Sequence, residues 1–307
     1  MSAVPSEKAV TASDGFAHLR PSVRPVALQS DVERIAFIDS RPWVKYDRAT
    51  RAIDALTTLM NTPKRARMPN LLLVGSSNNG KTSLIQRFQD SFPNYVNEDV
   101  KAVKQVIVAD APPTADEKGL YGSILDQFWA PWSPNGTALA LRKQAVHTLR
   151  DCNTRVLVID EFHALLAGTP KKQREIMNAL KYLCNEVQIP IVGVGTQDAV
   201  LVIKSDPQYS SRFSKIELPD WQLGIDFQRL AQSFEAVLPL RKGSNLHGLP
   251  IVNHLHSISA GNLGNLHELL IECAKQAIKS GTEQITLDIV NSKSWIRPTK
   301  GIREIAL

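Results

Sequence analysis

The hydrophobic residues of this chain fall into short apolar runs that alternate with segments of helical periodicity. Four of these runs predict buried strands, and a fifth strand is predicted on their C-terminal side. The five predicted strands lie at residues 71–74, 103–109, 155–159, 189–194 and 215–218. Uninterrupted apolar runs of this length are typical of strands that are covered on both faces of a parallel sheet. Because helical segments separate the strands, including a long one predicted at about residues 171–187, the pattern predicts an α/β fold with a five-stranded parallel sheet flanked by helices.

After residue 219 the strand pattern ends and only helical periodicity remains. Three helical segments are predicted there, at residues 224–238, 248–259 and 263–280. The first residues of the chain are polar and aperiodic. We therefore predict four regions: a flexible N-terminal arm, an α/β domain, a small C-terminal helical lid and a tail, at residues 1–29, 30–219, 220–294 and 295–307.

Composition is consistent with this organisation, and the net charge bears on the kind of partner the chain can bind. Hydrophobic residues make up 43% of the 307 residues, and the formal net charge is +6. The positive balance permits a polyanionic partner. The three cysteines have no metal-binding or disulfide spacing, and no apolar run predicts a signal peptide or a membrane span. We therefore expect a cytoplasmic protein, in a bacterial cytosol, with no membrane partner.

A phosphate-binding loop is predicted directly after the first strand. The sequence there follows the pattern G-x-x-x-x-G-K-[ST] and leads into a helix, which is the context that separates a working loop from a chance match. We expect ATP to be bound by the residues Gly75, Ser76, Ser77, Asn78, Asn79, Gly80, Lys81, Thr82 and Ser83. Lys81 is predicted to reach the β- and γ-phosphates, and the Thr82 hydroxyl to ligate Mg²⁺. A glycine-rich turn without nucleotide is the plainer alternative.

A second acidic motif follows the third predicted strand, about 80 residues further on. That strand ends in Asp160 and Glu161. We expect Asp160 to hold Mg²⁺ and Glu161 to polarise the water that attacks the γ-phosphate, which makes the protein an ATPase. His163 also lies here, but a histidine at a helix start is usually a surface or capping residue.

A strand and helices inserted between these two motifs, together with a helical lid, describe a P-loop AAA+ ATPase. In that fold a polar sensor follows the fourth strand and an arginine finger precedes the fifth. Thr196 and Arg212 occupy these two places and are predicted to act in catalysis, with Arg212 serving a neighbouring subunit. The alternatives are a helix N-cap for Thr196 and an unpaired surface arginine for Arg212.

Over roughly residues 35–290 the chain resembles the TniB/TnsC ATPases of DNA transposition. Besides the two nucleotide motifs and the Ser-Ser-Asn-Asn filling of the loop, the resemblance rests on residues 43–49, 67–75, 158–163, 191–196, 206–213 and 259–270. It implies an ATP-dependent regulator that oligomerises as a ring or helical filament on duplex target DNA. It also implies that the protein recruits or activates a DDE transposase of the TniA/TnsB type, with a TniQ-type targeting protein as a further partner.

One departure from AAA+ lids concerns the second sensor. The segment Gly261-Asn-Leu-Gly264 is followed by Asn265 and not by the arginine of a G-x-x-R pattern. We therefore expect slow hydrolysis that times assembly, and packing of the two glycines is an equal alternative to a sensing role.

DNA contacts are less readable from the sequence. Family members contact DNA from loops that line the channel of the oligomer, and the candidates here are Lys118, Arg142 and Lys143, each of which is otherwise a solvated side chain. Without a base-reading motif, phosphate contacts should dominate, so that binding is sequence-tolerant and salt-dependent. Two other functions remain open: a helicase-loader or clamp-loader type ATPase, and a nucleotide-gated signalling scaffold.

Overall fold

The predicted strands form one parallel sheet, in which their order differs from their order along the chain. The computed structural model describes residues 16–204, residues 210–292 and Thr299. Five strands make the main sheet: β1 (Asn70–Gly75), β4 (Val106–Asp110), β5 (Val156–Asp160), β6 (Ile191–Gly195) and β7 (Phe213–Leu218). Their order is β4-β5-β6-β1-β7, and every neighbouring pair is parallel. The predicted five-stranded parallel sheet is therefore confirmed.

The strand order places three loops at one edge of the sheet. β6 lies between β1 and β5, with Val74 opposite Gly195 and Ile159 opposite Gly193. Because parallel strands end on the same side, the segments that follow β1, β5 and β6 leave the sheet next to one another. These segments carry the two nucleotide motifs and the predicted sensor.

Helices cover both faces of this sheet. They are α3 (Asp47–Met60), α4 (Lys81–Asp90), α5 (Glu117–Asp126), α6 (Ala138–Asp151), a 3₁₀-helix (Phe162–Leu166), α7 (Pro170–Leu183) and α8 (Ala199–Lys204). All residues of β1, β5 and β6 are buried, which explains why their sequences are continuously apolar.

Two predicted elements differ from the structure in their limits. The strand expected at residues 103–109 is divided: β2 (Tyr95–Val96) and β3 (Ala102–Val103) form a small antiparallel hairpin, and β4 begins at Val106. The long helix expected at residues 171–187 ends at Leu183 and continues as a π-helical turn (Cys184–Gln188). Apolar periodicity does not distinguish the wider turn from an α-helix.

By its internal contacts the chain divides into two compact units. Asp47–Asp220 form the α/β unit, and the described residues before and after this range form a helical unit. The helical unit contains α1 (Arg24–Ala27), α2 (Asp31–Asp39), α9 (Ile225–Glu235), α10 (Leu249–Ser259), α11 (Leu263–Lys279) and α12 (Leu287–Asn291). Residues 30–46, which the sequence prediction places in the α/β domain, cluster here with the C-terminal helices. In the part of the chain that the structure describes, no helix has both the length and the apolar character for crossing a membrane.

The expectation of a flexible N-terminal arm is wrong for residues 16–29. Leu19, Val23 and Ala27 are buried in a small cluster of their own, and the backbone N–H of Arg20 donates to the carbonyl of Ala236 at 2.9 Å. The helix in this stretch has only four residues, so it is too short to show a period in the sequence. Residues 1–15 of the predicted arm, and residues 295–298 and 300–307 of the predicted tail, lie outside the described residues.

A buried ion pair ties the N-terminal helices to the C-terminal ones within the helical unit. Arg34 is fully buried, and its guanidinium donates to both carboxylate oxygens of Glu283 at 2.7 and 2.8 Å. Arg241 contacts the same carboxylate at 3.3 Å. The hydrogen bonds from Arg34 hold the pKa of Glu283 below its ordinary value.

We expect Glu283→Gln to destabilise the helical unit by about 3 kcal/mol at pH 7, because the buried Arg34 would lose its bidentate partner and keep only the mostly exposed carboxylate of Asp31, at 2.7 Å. A carboxyl group whose pKa is lowered by folding contributes stability at pH values above its unfolded pKa of about 4.3. This contribution is lost as the pH falls through the pKa of the folded state. Urea unfolding followed by ellipticity should therefore show less acid sensitivity in the variant. The half-exposed Glu272→Gln is the matched control, and an equal acid limb in Glu283→Gln and the wild type would contradict the assignment.

Candidate functional site

The loop between β1 and α4 has the backbone conformation that a phosphate cradle requires. Gly80 precedes α4 with a φ of 78°, and Asn78 has a φ of 58°, so both residues lie in the left-handed region. Gly80 adopts this conformation without steric cost. The first turn of α4 contains no acidic residue, so its amide N–H groups and its positive dipole end are available to an anion.

The start of the loop is anchored to the end of β7, within the α/β unit. A Cβ at position 75 would lie 2.7 Å from the carbonyl oxygen of Leu218, so only glycine fits there. The buried side chain of Asn79 donates to the same oxygen at 2.8 Å. The hydroxyl of Ser76 donates to Asp220 at 3.1 Å. These side chains hold the loop in shape, a role that the sequence prediction did not assign to them.

Lys81 lies folded over its own loop. Its Nζ donates to the carbonyl oxygens of Gly75 and Ser76 at 3.1 and 2.8 Å. Burial lowers the pKa of Lys81, while the charges of Glu161 and Asp160 act in the opposite direction. The acceptors of the Lys81 ammonium are thus neutral carbonyl oxygens. Exchanging them for phosphate oxygens is favourable, because hydrogen bonds between charged groups are stronger.

The predicted magnesium ligands meet at the edge of the sheet. The hydroxyl of Thr82 donates to Oδ2 of Asp160 at 3.0 Å, although 78 residues separate them in sequence. The other carboxylate oxygen of Asp160 accepts the backbone N–H of Glu161 at 2.8 Å, and the residue is only 7% exposed. Hydroxyl and carboxylate oxygens are the hard ligands that Mg²⁺ prefers, so the donor set fits this ion.

Glu161 projects from the end of β5 beside His163. Its φ is 52°, and its side chain is 62% exposed. Oε2 of Glu161 lies 3.3 Å from Nδ1 of His163, a distance that allows an ion pair although the angles do not meet those of a hydrogen bond. Nδ1 of His163 is buried while the side chain as a whole is 33% exposed, so the imidazole is a partly buried neighbour of Glu161. Its position two residues after Glu161 was the available signal.

Thr196 follows β6 at the same edge. Its hydroxyl is buried and has no hydrogen-bond partner among the described residues. The alternative of a helix N-cap is therefore wrong for this side chain, since an N-cap hydroxyl accepts a backbone N–H. A buried hydroxyl of this kind is available for a hydrogen bond to a bound polar ligand.

Arg212 is not brought together with these residues. It immediately precedes β7, and its carbonyl accepts the N–H of Asn70 at 2.8 Å, at the start of β1. Gly75 lies at the other end of β1. At about 3.3 Å per residue, it is about 16 Å from Asn70 along the strand. The guanidinium donates to Asn185 in the π-helical turn at 2.8 Å, so the alternative of an unpaired arginine is wrong.

The three predicted DNA contacts lie on two helices of the α/β unit. Lys118 is in the first turn of α5, half-buried. The guanidinium of Arg142 lies over the ring of Tyr182, 4.4 Å from its centroid, which is a packing contact between α6 and α7. Lys143 is exposed and borders a groove of about 280 Å³ that is also lined by His147 and Arg150.

Comparison with solved structures identifies the fold. The Aeropyrum pernix ORC2 protein, solved in ADPNP-ADP complexes, is 18% identical, with a TM-score of 0.53 over 80% of this chain and 65% of its own. CDC6P from Pyrobaculum aerophilum is 17% identical, with a TM-score of 0.55 over 83% of this chain and 69% of its own. The chain thus spans about two thirds of the length of these proteins. At such identities the likeness shows the fold alone, which is that of the P-loop AAA+ ATPases.

Comparison with sequences identifies the family. A search of the curated proteins found no match. The profile described as "Bacterial TniB protein" matches residues 34–223, which is more than half of the chain and contains both nucleotide motifs. This protein therefore belongs to the TniB family.

Proposed function

We propose that this protein is an ATP-hydrolysing regulator of DNA transposition. In this proposal it binds ATP with Mg²⁺, oligomerises on duplex target DNA without strong sequence specificity, and recruits or activates a DDE transposase. The observation that carries the proposal is the 3.0 Å contact between Thr82 and Asp160, beside Lys81, in a chain of the TniB family. Two distant motifs meet there in the arrangement that nucleotide chemistry requires.

Each residue at the sheet edge has a proposed role. The loop amides and Lys81 bind the phosphates, and Thr82 and Asp160 hold Mg²⁺. Bound there, Mg²⁺ would neutralise charge on the phosphate oxygens. Glu161 accepts a proton from the attacking water, because its carboxylate lies one residue beyond Asp160 and is exposed to solvent. Thr196 offers to the γ-phosphate a hydroxyl that has no partner within the described ranges of the chain.

Oligomerisation follows from the place of Arg212. Its backbone lies at the end of the sheet opposite the phosphate-binding loop of its own chain, so in this proposal it completes the site of a neighbouring subunit. A guanidinium is permanently charged and planar, which suits the phosphate oxygens of a transition state. A head-to-tail contact of this kind generates a ring or a helical filament.

DNA binding is proposed to use the phosphate backbone. The net charge of +6 and the exposed Lys143 favour contact with a polyanion. Lys118 remains a second candidate, whereas the stacking of Arg142 on Tyr182 favours a packing role for that residue. Transposase and TniQ-type partners rest on family membership.

The test of nucleotide binding is Lys81→Ala. We expect the variant to bind ATP about 100-fold more weakly than the wild type, because the charged hydrogen bonds to two phosphates are lost. Isothermal titration with ATP and Mg²⁺ measures this. The exposed Lys172→Ala is the control and should bind as the wild type does. Unchanged ATP affinity in a folded Lys81→Ala protein would sink the proposal.

A further inference from the structure

The imidazole of His163 is held at the proposed site by its neighbours. It lies in the 3₁₀-helix that follows β5, directly after the fully buried ring of Phe162. A Cβ at position 195 would lie 3.3 Å from both the backbone N and Nδ1 of His163. The absence of a side chain at Gly195 therefore leaves the space that the imidazole occupies at the end of β6.

The contact of this imidazole with Glu161 has a chemical consequence. Glu161 lies at a backbone φ of 52°, and its mostly exposed side chain has several rotatable bonds. An exposed carboxylate of this kind samples many rotamers, and fixing it in one costs conformational entropy. In the tautomer that carries its proton on Nδ1, His163 offers a buried donor 3.3 Å from Oε2 of Glu161. In the proposal below, rotation of the carboxylate completes this hydrogen bond.

We propose that His163 is a positioning residue that holds the carboxylate of Glu161 at the end of β5 for ATP hydrolysis. The inference rests on the proposed function, since it assigns the orientation of the group that activates water. His163 itself does not touch the phosphates in this account. It acts through Glu161, and its imidazole also lies against Gly195, the residue before Thr196.

The first test separates the two ring nitrogens. An asparagine places its amide nitrogen where Nδ1 lies, whereas a glutamine reaches towards the position of Nε2. We expect His163→Ala and His163→Gln to lower kcat about ten- to a hundredfold with an unchanged KM for ATP, as for a misplaced catalytic group. His163→Asn should restore most of the loss. Equal activity of all three variants and the wild type would overturn the proposal.

The second test shows whether the effect passes through Glu161. In a Glu161→Gln background, His163→Ala should cost little further activity, because residues that act as one unit are not additive. Fully additive losses in the double variant would mean that His163 supports only the fold.

A readout without activity separates this inference from the proposed function. In the NMR spectrum of protein labelled with ¹⁵N-histidine, the imidazole signals of His163 are those that disappear in His163→Asn. Glu161→Gln should shift these signals. The exposed Glu175→Gln is the control and should leave them in place. If the wild type hydrolyses no ATP, the proposed function fails while a shifted signal still supports the contact. Unshifted signals would overturn the contact itself, whatever the ATPase activity.

Discussion

Arg212→Ala should bind ATP with wild-type affinity and yet show little ATPase activity and poor assembly. The residues proposed to bind phosphate lie at the opposite end of the sheet from Arg212 and remain intact in the variant. An arginine finger contributes a factor of about 10³–10⁵ to the rate in phosphoryl-transfer systems, and a slow ATPase will depend on it less. The exposed Arg51→Ala is the control for the loss of one positive charge.

Mixing two inactive variants tests whether Arg212 acts across a subunit boundary. Arg212→Ala subunits keep Lys81, and Lys81→Ala subunits keep Arg212. In a mixed oligomer some interfaces pair an intact arginine with an intact loop, so part of the activity should return. If no mixing ratio restores hydrolysis while both variants remain folded, Arg212 serves its own subunit or the contact with Asn185 alone.

Glu161→Gln should bind ATP normally and hydrolyse it about 10²–10⁴-fold more slowly, because the amide cannot accept the proton of the attacking water. Asp160 and Thr82, which are proposed to hold Mg²⁺, keep their 3.0 Å contact. DNA-bound assemblies should then persist longer than those of the wild type. Single-turnover hydrolysis and the lifetime on DNA measure the two effects, with Glu175→Gln as the control.

The outcome for lifetime decides whether hydrolysis times release. Assemblies of Glu161→Gln that leave DNA at the wild-type rate would contradict this part of the account. A wild-type rate of hydrolysis in the variant would instead remove Glu161 from the proposed mechanism and leave nucleotide binding unaffected.

The sheet and the nucleotide loops could be predicted because their physical signals are local. β1, β5 and β6 are buried on both faces, so their sequences are continuously apolar. Backbone geometry fixes the glycines around Lys81, and the chemistry of phosphate binding fixes the lysine and threonine. The meeting of Thr82 with Asp160 follows from the rule that parallel strands end at one edge of the sheet.

What could not be predicted depends on partners that are distant in sequence. Arg34 is a charged residue in a helix with no distinctive pattern, and its ion pairs with Glu283 and Asp31 allow its burial. His163 carries no pattern of its own, and its role in the structure comes from Glu161 and from the space at Gly195. Asn79 lies in the loop that is proposed to bind phosphate, yet its side chain donates a hydrogen bond to the carbonyl of Leu218.

Electron microscopy of the wild-type protein on duplex DNA, with ATP and then with ADP, tests the central claim most directly. The account predicts ordered rings or filaments on DNA with ATP and Mg²⁺, few or none with ADP, and none with Lys81→Ala under either condition. Equal assemblies with ATP and ADP, or assemblies that form with Lys81→Ala as readily as with the wild type, would contradict a nucleotide-controlled oligomer on DNA.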